Sequence, residues 1–330
     1  MKLQEKLTRR EFFRRSALVG TAAAGLGFLE RKTAAAGRLE PTPGRSRVVI
    51  VRNQALLAGD QIDQKTAERM LGQAVAKLLG TQTSAQAWKA LFKPTDVVGI
   101  KVNCLCGKGV STHPEIAYAV VAGLKMAGVR PENIIIWDRS TGDLVKCGYT
   151  PNKGEGVQVL ADDGNWGEVV RSGSFNGRLS KIITERITAI VNVPILKTHN
   201  LSGLTCALKN HYGSFHNPGD HHSNGCNPYL ADLNALPQIK DKTRLVVVDA
   251  ARPLSDGGPG MKADALFDYY GIIVSKDPLA VDRVGLDIVN SRRRQMGKRE
   301  LSVESLGWFA SAEKAGVGVC DPAKIEVVRI

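Results

Sequence analysis

The sequence predicts an α/β fold, a largely parallel or mixed sheet with helices on both faces and one insertion of short strands near residues 147–178. Three observations carry this expectation. Short β-branched runs alternate with stretches of helical periodicity along most of the chain. Helix-opening and helix-closing residues fall between those stretches. About 290 residues remain once an N-terminal leader is set aside, enough for one large domain at 37–330 with a sizeable core.

The leader comes first. Thr8-Arg9-Arg10-Glu11-Phe12-Phe13-Arg14 supplies paired arginines, residues 17–29 form an uncharged run, and Ala34-Ala35-Ala36 offers a small-residue cleavage site. Residues 1–36 therefore read as a twin-arginine export signal cleaved near Ala36. That implies a periplasmic protein and the twin-arginine translocase as a partner during export. The run is shorter than the ~20 apolar residues a spanning helix needs, so no stable membrane anchor is expected. A route that carries folded proteins raises the prior for a bound cofactor without naming one.

The elements of the domain follow in order. Residues 47–52 read as a strand and 66–79 as a helix with Met70, Ala74 and Leu78 on one stripe. Residues 96–102 read as a second strand. Thr112-His113-Pro114-Glu115 reads as a capping box opening a helix whose Ile116, Val120 and Leu124 repeat every four residues, with Gly128 as its stop. Ile134-Ile135-Ile136-Trp137 is a buried strand ending at Asp138. Strands are expected at 188–196, 244–248 and 324–329, and helices at 201–212, from Asp277-Pro278 to about 295, and at 302–315.

Charge points to anionic partners. Lys and Arg number 45 against 32 Asp and Glu, net +13. The first 36 residues hold 8 and 3 of these, which leaves 37 against 29, or +8, for the remainder. No basic run interleaved with aromatics suggests nucleic acid. The six cysteines form no CxxC pair or ferredoxin run, and buried inert thiols are the expectation for at least half of them.

In open α/β sheets chemistry gathers beyond the carboxyl ends of the strands. Lys101 and Asn103 follow one predicted strand, with His113 soon after. Asp138 and Arg139 end the next, Lys197 and His199 end the third, and Asp249 and Arg252 the fourth. Four strand ends supplying four cations, two carboxylates and two histidines predict a shared cleft for a small anionic ligand. Lys197 and His199 are two residues apart, so both face one side of an extended segment, pairing a cation with a general acid/base. Lys101, Lys197 and Lys209 are the lysines that could clamp an anion or lose a proton. Five of the six histidines fall between His199 and His222. From His216 to Cys226, the side chains of His216, His221, His222 and Cys226 are ligand types suited to zinc, iron or nickel, so a transition metal is expected there, beside the alternative of a solvated or lid-like loop. The glycines of Gly257-Gly258-Pro259-Gly260 offer backbone N–H groups to an anion, or simply a turn.

The segment Leu196-Lys197-Thr198-His199-Asn200 followed by Ala207-Leu208-Lys209-Asn210 resembles the core motif of domain-of-unknown-function family 362. Val98-Gly99-Ile100-Lys101-Val102-Asn103 with Thr112-His113-Pro114-Glu115, and Ser275-Lys276-Asp277-Pro278-Leu279-Ala280-Val281-Asp282, fit the same family. The resemblance spans nearly all of 45–330. It implies a fold and no assigned reaction, and the cluster-binding cysteine runs of some relatives are absent from this chain. A more distant similarity, residues 112–127 with the strand to Trp137, looks like nickel-dependent lactate racemases. That likeness implies an organic nickel cofactor tethered through a lysine flanked by histidines, with Lys197 and His199, or Lys209 and His211, in those parts.

Together these readings give Lys197, His199, Lys209 and Asp138 as catalytic candidates, Lys101, Asn103, His113, Arg139 and Asn210 as substrate-binding candidates, and an exported metal- or cofactor-dependent enzyme acting on a small anion. The competing readings are a periplasmic metal- or ligand-binding protein without catalysis, a racemase-like proton or hydride transfer on a hydroxy acid, and an assembly partner without chemistry.

Overall fold

A computed structural model describes residues 45–330, so the leader expected at 1–36 lies outside the described residues. In chain order the strands are β1 (Ser46–Arg52), β2 (Leu57–Ala58), β3 (Gln61–Ile62), β4 (Val98–Lys101), β5 (Ile134–Asp138), β6 (Gln158–Ala161), β7 (Trp166–Ser172) and β8 (Phe175–Ser180). They continue with β9 (Ala189–Asn192), β10 (Ile195–His199), β11 (Gly203–Thr205), β12 (Thr243–Leu254), β13 (Gly271–Ser275) and β14 (Ile325–Arg329). The helices are α1 (Gln64–Leu79), α2 (Ser84–Leu91), α3 (Pro114–Met126), α4 (Thr141–Lys146), α5 (Ala207–Asn210), α6 (Tyr229–Ala235), α7 (Pro237–Lys240), α8 (Pro278–Gln295) and α9 (Trp308–Lys314).

The central sheet has the order β14-β1-β13-β12-β9-β4-β5-β6. Every neighbouring pair in that path is parallel except the two made by β13, which alone runs against the rest. Alternate residues of a strand face opposite sides, and the strands exploit this to build two cores. Ile134 and Ile136 join the core under α1, α2 and α3, while Ile135 and Trp137 join the one under α6, α8 and α9. Both faces are covered, which is why the strand sequences read as unbroken apolar runs. Truncating a fully buried core residue such as Leu286 to Ala costs about 2–5 kcal/mol.

Topology places the site. From β4 the chain winds outward through β5 to β6, then returns to lay β9 on the opposite side of β4. The strand order therefore reverses between β4 and β9, and open sheets of this kind hold ligands beyond the carboxyl ends at such a point.

Several expectations need correction. The strand expected at 188–196 is two strands, because Pro194 has no N–H to continue the ladder. β10 is displaced to pair with the far half of β12, where Ile195 faces Asp249 and Lys197 faces Leu254. β12 runs twelve residues through Asp249 instead of ending before it. The helix expected at 201–212 is an error of periodicity: Leu201, Leu204 and Leu208 mimic a helical stripe, yet residues 203–205 pair with β10 as a hairpin and only Ala207–Asn210 is α-helical. The insertion near 147–178 gives one strand, β6, to the edge of the main sheet, and β7 and β8 form a separate hairpin. β13 has no counterpart in the expectations, and the helix expected at 302–315 contracts to Trp308–Lys314. The capping box at Thr112 is absent, since His113 is the N-cap of α3 and its side chain makes no cap. The Thr112 hydroxyl instead accepts from the Asn103 N–H and donates to the Val193 carbonyl, tying the loop after β4 to the end of β9. Among the described residues no helix is long and apolar enough to cross a membrane.

Candidate functional site

Lys101 ends β4 and Asp138 ends its neighbour β5, one residue beyond the Lys101–Trp137 pair of the ladder. The Lys101 ammonium is fully buried and donates to Asp138 Oδ1 at 2.7 Å and to the Val102 carbonyl at 2.6 Å. Asp138 also accepts the N–H groups of Arg139 and Cys104, at 2.8 and 2.7 Å. This pair is saturated. Gly213 crosses directly above it, where a Cβ would lie 2.6 Å from Asp138 Oδ1 and 2.8 Å from Lys101 Nζ, so only glycine allows the approach.

Lys197 and Lys209 are different. Lys197 sits on β10, opposite Thr205 of β11, and is 2 % exposed. Its ammonium donates to the Val110 carbonyl at 2.7 Å and lies near the Cys106 thiol, which opposes the fall in its pKa. Lys209 sits on α5 and is 6 % exposed, with Nζ 2.9 Å from His222 Nε2 and 3.3 Å from the centre of the Tyr212 ring. Among the described residues no carboxylate reaches either ammonium within 4 Å. Burial favours the neutral amines, lowering Lys197 and pulling Lys209 down to about 7, with the Lys197 charge adding to the fall at Lys209.

The segment carrying Lys209 is fixed from elsewhere in the chain. Asp282 of α8 is buried and accepts the N–H groups of Ala207 and Leu208 at 2.5 and 3.1 Å, which caps the first turn of α5. Burial pushes that carboxyl up to about 7 against those two bonds.

A cavity of about 100 Å³ brings these groups together. Of the expected site residues it is lined by Lys101, Asn103, Asp138, Arg139, Lys197, His199 and Lys209, joined by His222. Asn210 stands one layer behind, donating to the Lys101 carbonyl at 3.0 Å and to Asn192 Oδ1 at 2.7 Å, and accepting from Asn103. Arg139 is held by the His216 carbonyl at 2.8 Å.

His199 has a defined tautomer. Its Nδ1 accepts the N–H groups of Leu201 and Ser202, so the ring proton resides on Nε2. Burial and the nearby Lys209 charge depress its pKa to about 3. His199 is thus a neutral donor at physiological pH. It stacks on His222 with ring centres 5.7 Å apart. Thr205, Tyr212, Cys106 and Gly213 also line this cavity and were not among the expected site residues. The signal for Thr205 was its place opposite Lys197, hidden by the helix expected there.

His113 is elsewhere. Its Nδ1 lies 2.7 Å from Asp249 Oδ2 and its own N–H meets the same oxygen at 2.9 Å. Burial opposes the imidazolium, but the Asp249 carboxylate outweighs it and raises the pKa. His113 faces a separate cleft of about 740 Å³ with Ser111 and Arg252, and Asp249 is buried behind it. The single cleft expected from four strand ends is therefore two.

The expected metal ligands do not converge. His216 Nδ1 accepts the Arg178 N–H at 2.9 Å, and His221 is buried against Phe175, Phe215 and Tyr229. His222 turns to Lys209, and the Cys226 thiol lies against the Tyr212 and Ser202 hydroxyls. Among the described residues no three His, Cys, Asp or Glu side chains are arranged to hold a metal ion. The glycine loop is also committed: Gly258 N–H donates to Thr198 Oγ1, and a Cβ there would sit 1.9 Å from the Thr198 carbonyl oxygen.

Residues 98–287, more than half of the chain, match the family described as Domain of unknown function (DUF362). The chain belongs to that family. The matched DUF362 span runs from β4 into α8 and contains every residue lining the lysine cavity, together with Asp282. No curated protein matches this DUF362 chain. Among solved structures it is similar to a crystal structure of a Thermotoga maritima protein from the Northeast Structural Genomics Consortium, with a TM-score of 0.44 and 10 % identity. The likeness covers 73 % of this chain and 60 % of that one.

Proposed function

We propose that this protein is an exported enzyme that binds a small anionic substrate in the lysine cavity and moves a proton with Lys209. One observation carries the reading: two buried lysines share a cavity, and among the described residues no carboxylate comes within 4 Å of either ammonium. Removing an unpaired ammonium from water costs several kcal/mol, a cost that an incoming anion offsets. Lys197, His199 Nε2–H and Arg139 supply donors that hold the anion. Lys209, poised near neutral pH, suits proton transfer because a group with such a pKa is available in both states. Lys101 and Asp138 neutralise one another and hold the floor of the site.

Calorimetric titration with sulfate tests the binding half. The wild type is expected to bind, Lys197→Met to lose binding while keeping its circular dichroism spectrum, and a wild type that binds no small anion overturns the reading. Deuterium incorporation from D₂O into small carboxylates tests the catalytic half, with Lys209→Met as the inactive control. Binding without any exchange or turnover favours the second class, a periplasmic ligand-binding protein.

The racemase-like reading has one supporting observation, a lysine flanked by His222 and, stacked upon it, His199. Against it stands the cavity of about 100 Å³, too small for a cofactor-sized organic group, whose pockets begin at ~300 Å³, though not for a small anion. Export rests on the leader, and changing Arg9 and Arg10 to Lys is expected to trap the precursor in the cytoplasm. Normal arrival of that variant in the periplasm contradicts the twin-arginine route.

A further inference from the structure

The polar groups around the lysine cavity specify more than a negative charge. The orientation of Asn103 can be deduced. The Lys101 carbonyl can only accept, so the group of Asn210 that meets it is the amide Nδ2. That leaves Asn210 Oδ1 as an acceptor, and Asn103 must offer its own Nδ2, at 3.2 Å. Asn103 Oδ1 is then aimed away from Asn210, buried and without a hydrogen-bond partner, in a residue that lines the cavity. The Thr205 hydroxyl, 3 % exposed and in the same wall, is also unpartnered. An unpaired buried acceptor costs about 1–3 kcal/mol. An anion made only of acceptors leaves the Asn103 oxygen unpaired, whereas one carrying an O–H satisfies it.

Charge fixes the second property. Lining the cavity are Lys101, Lys197, Lys209 and Arg139 against Asp138 and Asp143. With the lysines protonated the excess is two positive charges, because Lys101 is spent on Asp138 and no carboxylate reaches Lys197 or Lys209.

We infer that the ligand of this site is a small dianion that also carries a hydroxyl donor, such as hydrogen phosphate or a short hydroxydicarboxylate. The ammonium groups of Lys197 and Lys209 meet its charge, His199 Nε2–H and Thr205 Oγ–H complete the donors, and Asn103 Oδ1 accepts its O–H. This rests on the anion-binding reading above and narrows it.

The test is a set of calorimetric titrations on the wild-type protein in buffer near neutral pH, where phosphate is partly its dianion and Lys209 is partly its ammonium. The probes are phosphate against sulfate, hydroxymalonate against malonate, and acetate as the monoanion. Expected is at least tenfold tighter binding of the hydroxylated member of at least one pair, with acetate weakest of all. A phosphate preference alone assigns a phosphoryl ligand, and a hydroxymalonate preference alone a carboxylate ligand. Equal affinity within both pairs overturns the hydroxyl donor and leaves anion binding intact. Acetate binding as tightly as the dianions overturns the double charge. No binding by any probe overturns this inference and the anion reading together. In Asn103→Ala the preference is expected to collapse while the circular dichroism spectrum stays that of the wild type. Preference retained in that variant contradicts the role of the Asn103 oxygen.

Discussion

Lys101 at the end of β4 and Lys197 midway along β10 are both almost fully buried and both line one cavity, yet their surroundings are opposite. Lys101 has Asp138 at 2.7 Å and a backbone carbonyl at 2.6 Å. Lys197 has one carbonyl and, among the described residues, no carboxylate within 4 Å. A buried charge with its partner in place belongs to the architecture, and one without a partner is held ready for something that arrives. The same contrast separates Asp138, enclosed by donors, from Asn103, whose oxygen has none.

The largest effect should come from breaking the paired side. Lys101→Met strands the Asp138 carboxylate in the core and is expected to cost about 3–5 kcal/mol of unfolding free energy, measured by urea denaturation. Lys197→Met removes an unpaired buried charge and should stay within about 1 kcal/mol of wild type, since only the bond to Val110 is lost. Equal losses in the two variants would erase the distinction.

Next comes the support beneath Lys209. Asp282→Ala leaves the N–H groups of Ala207 and Leu208 buried without an acceptor and is expected to destabilise the fold by about 2–4 kcal/mol. Sulfate affinity should fall with it, because α5 no longer holds Lys209 against the cavity. A variant with wild-type stability and affinity contradicts the capping role.

Sequence and structure part company in the same places. The apolar runs at β1, β4 and β5 were legible because a strand buried on both faces reads as a nearly unbroken apolar run, and α8 because Asp277-Pro278 marks its start, with Asp277 accepting the N–H groups of Leu279 and Ala280. The gathering of Lys101, Asp138, Lys197 and His199 followed from the rule that strand ends converge. What sequence hid was the hairpin β10–β11, where leucine spacing imitates a helix, and with it Thr205. The separation of His113 from the lysines was hidden too, since it depends on loop 103–112 passing between the two clefts. The histidine-rich stretch misled because density of ligand types says nothing of direction: His216, His221 and His222 point to three different partners.

A smaller effect follows from protonation. The unfolded chain keeps the Lys209 proton up to about 10.5, whereas the folded protein releases it near 7. The folded state binds fewer protons across that window, so this lysine's contribution is full above about 10.5 and is lost as the pH falls to about 7. An anion reverses the balance by favouring the ammonium. Sulfate should therefore raise Tm more at about pH 6 than at about pH 9, measured by thermal denaturation. A larger rise at the higher pH contradicts the assignment.

The smallest expected change is at His199. His199→Ala removes one neutral donor and should weaken sulfate binding about 5–10-fold, the worth of one hydrogen bond of ~1 kcal/mol, and it also takes the acceptor from the Leu201 and Ser202 N–H groups. Calorimetry on the folded variant checks this, and an affinity equal to wild type removes His199 from the site.

The central claim is that Lys197 and Lys209 are left unpaired for an anion, and NMR titration of the Lys209 ε-amine in the free protein and with saturating sulfate tests it most directly. The account predicts a pKa near 7 in the free protein and a rise on adding sulfate. A value near the ordinary 10.5 in the free protein, unmoved by sulfate, would contradict it.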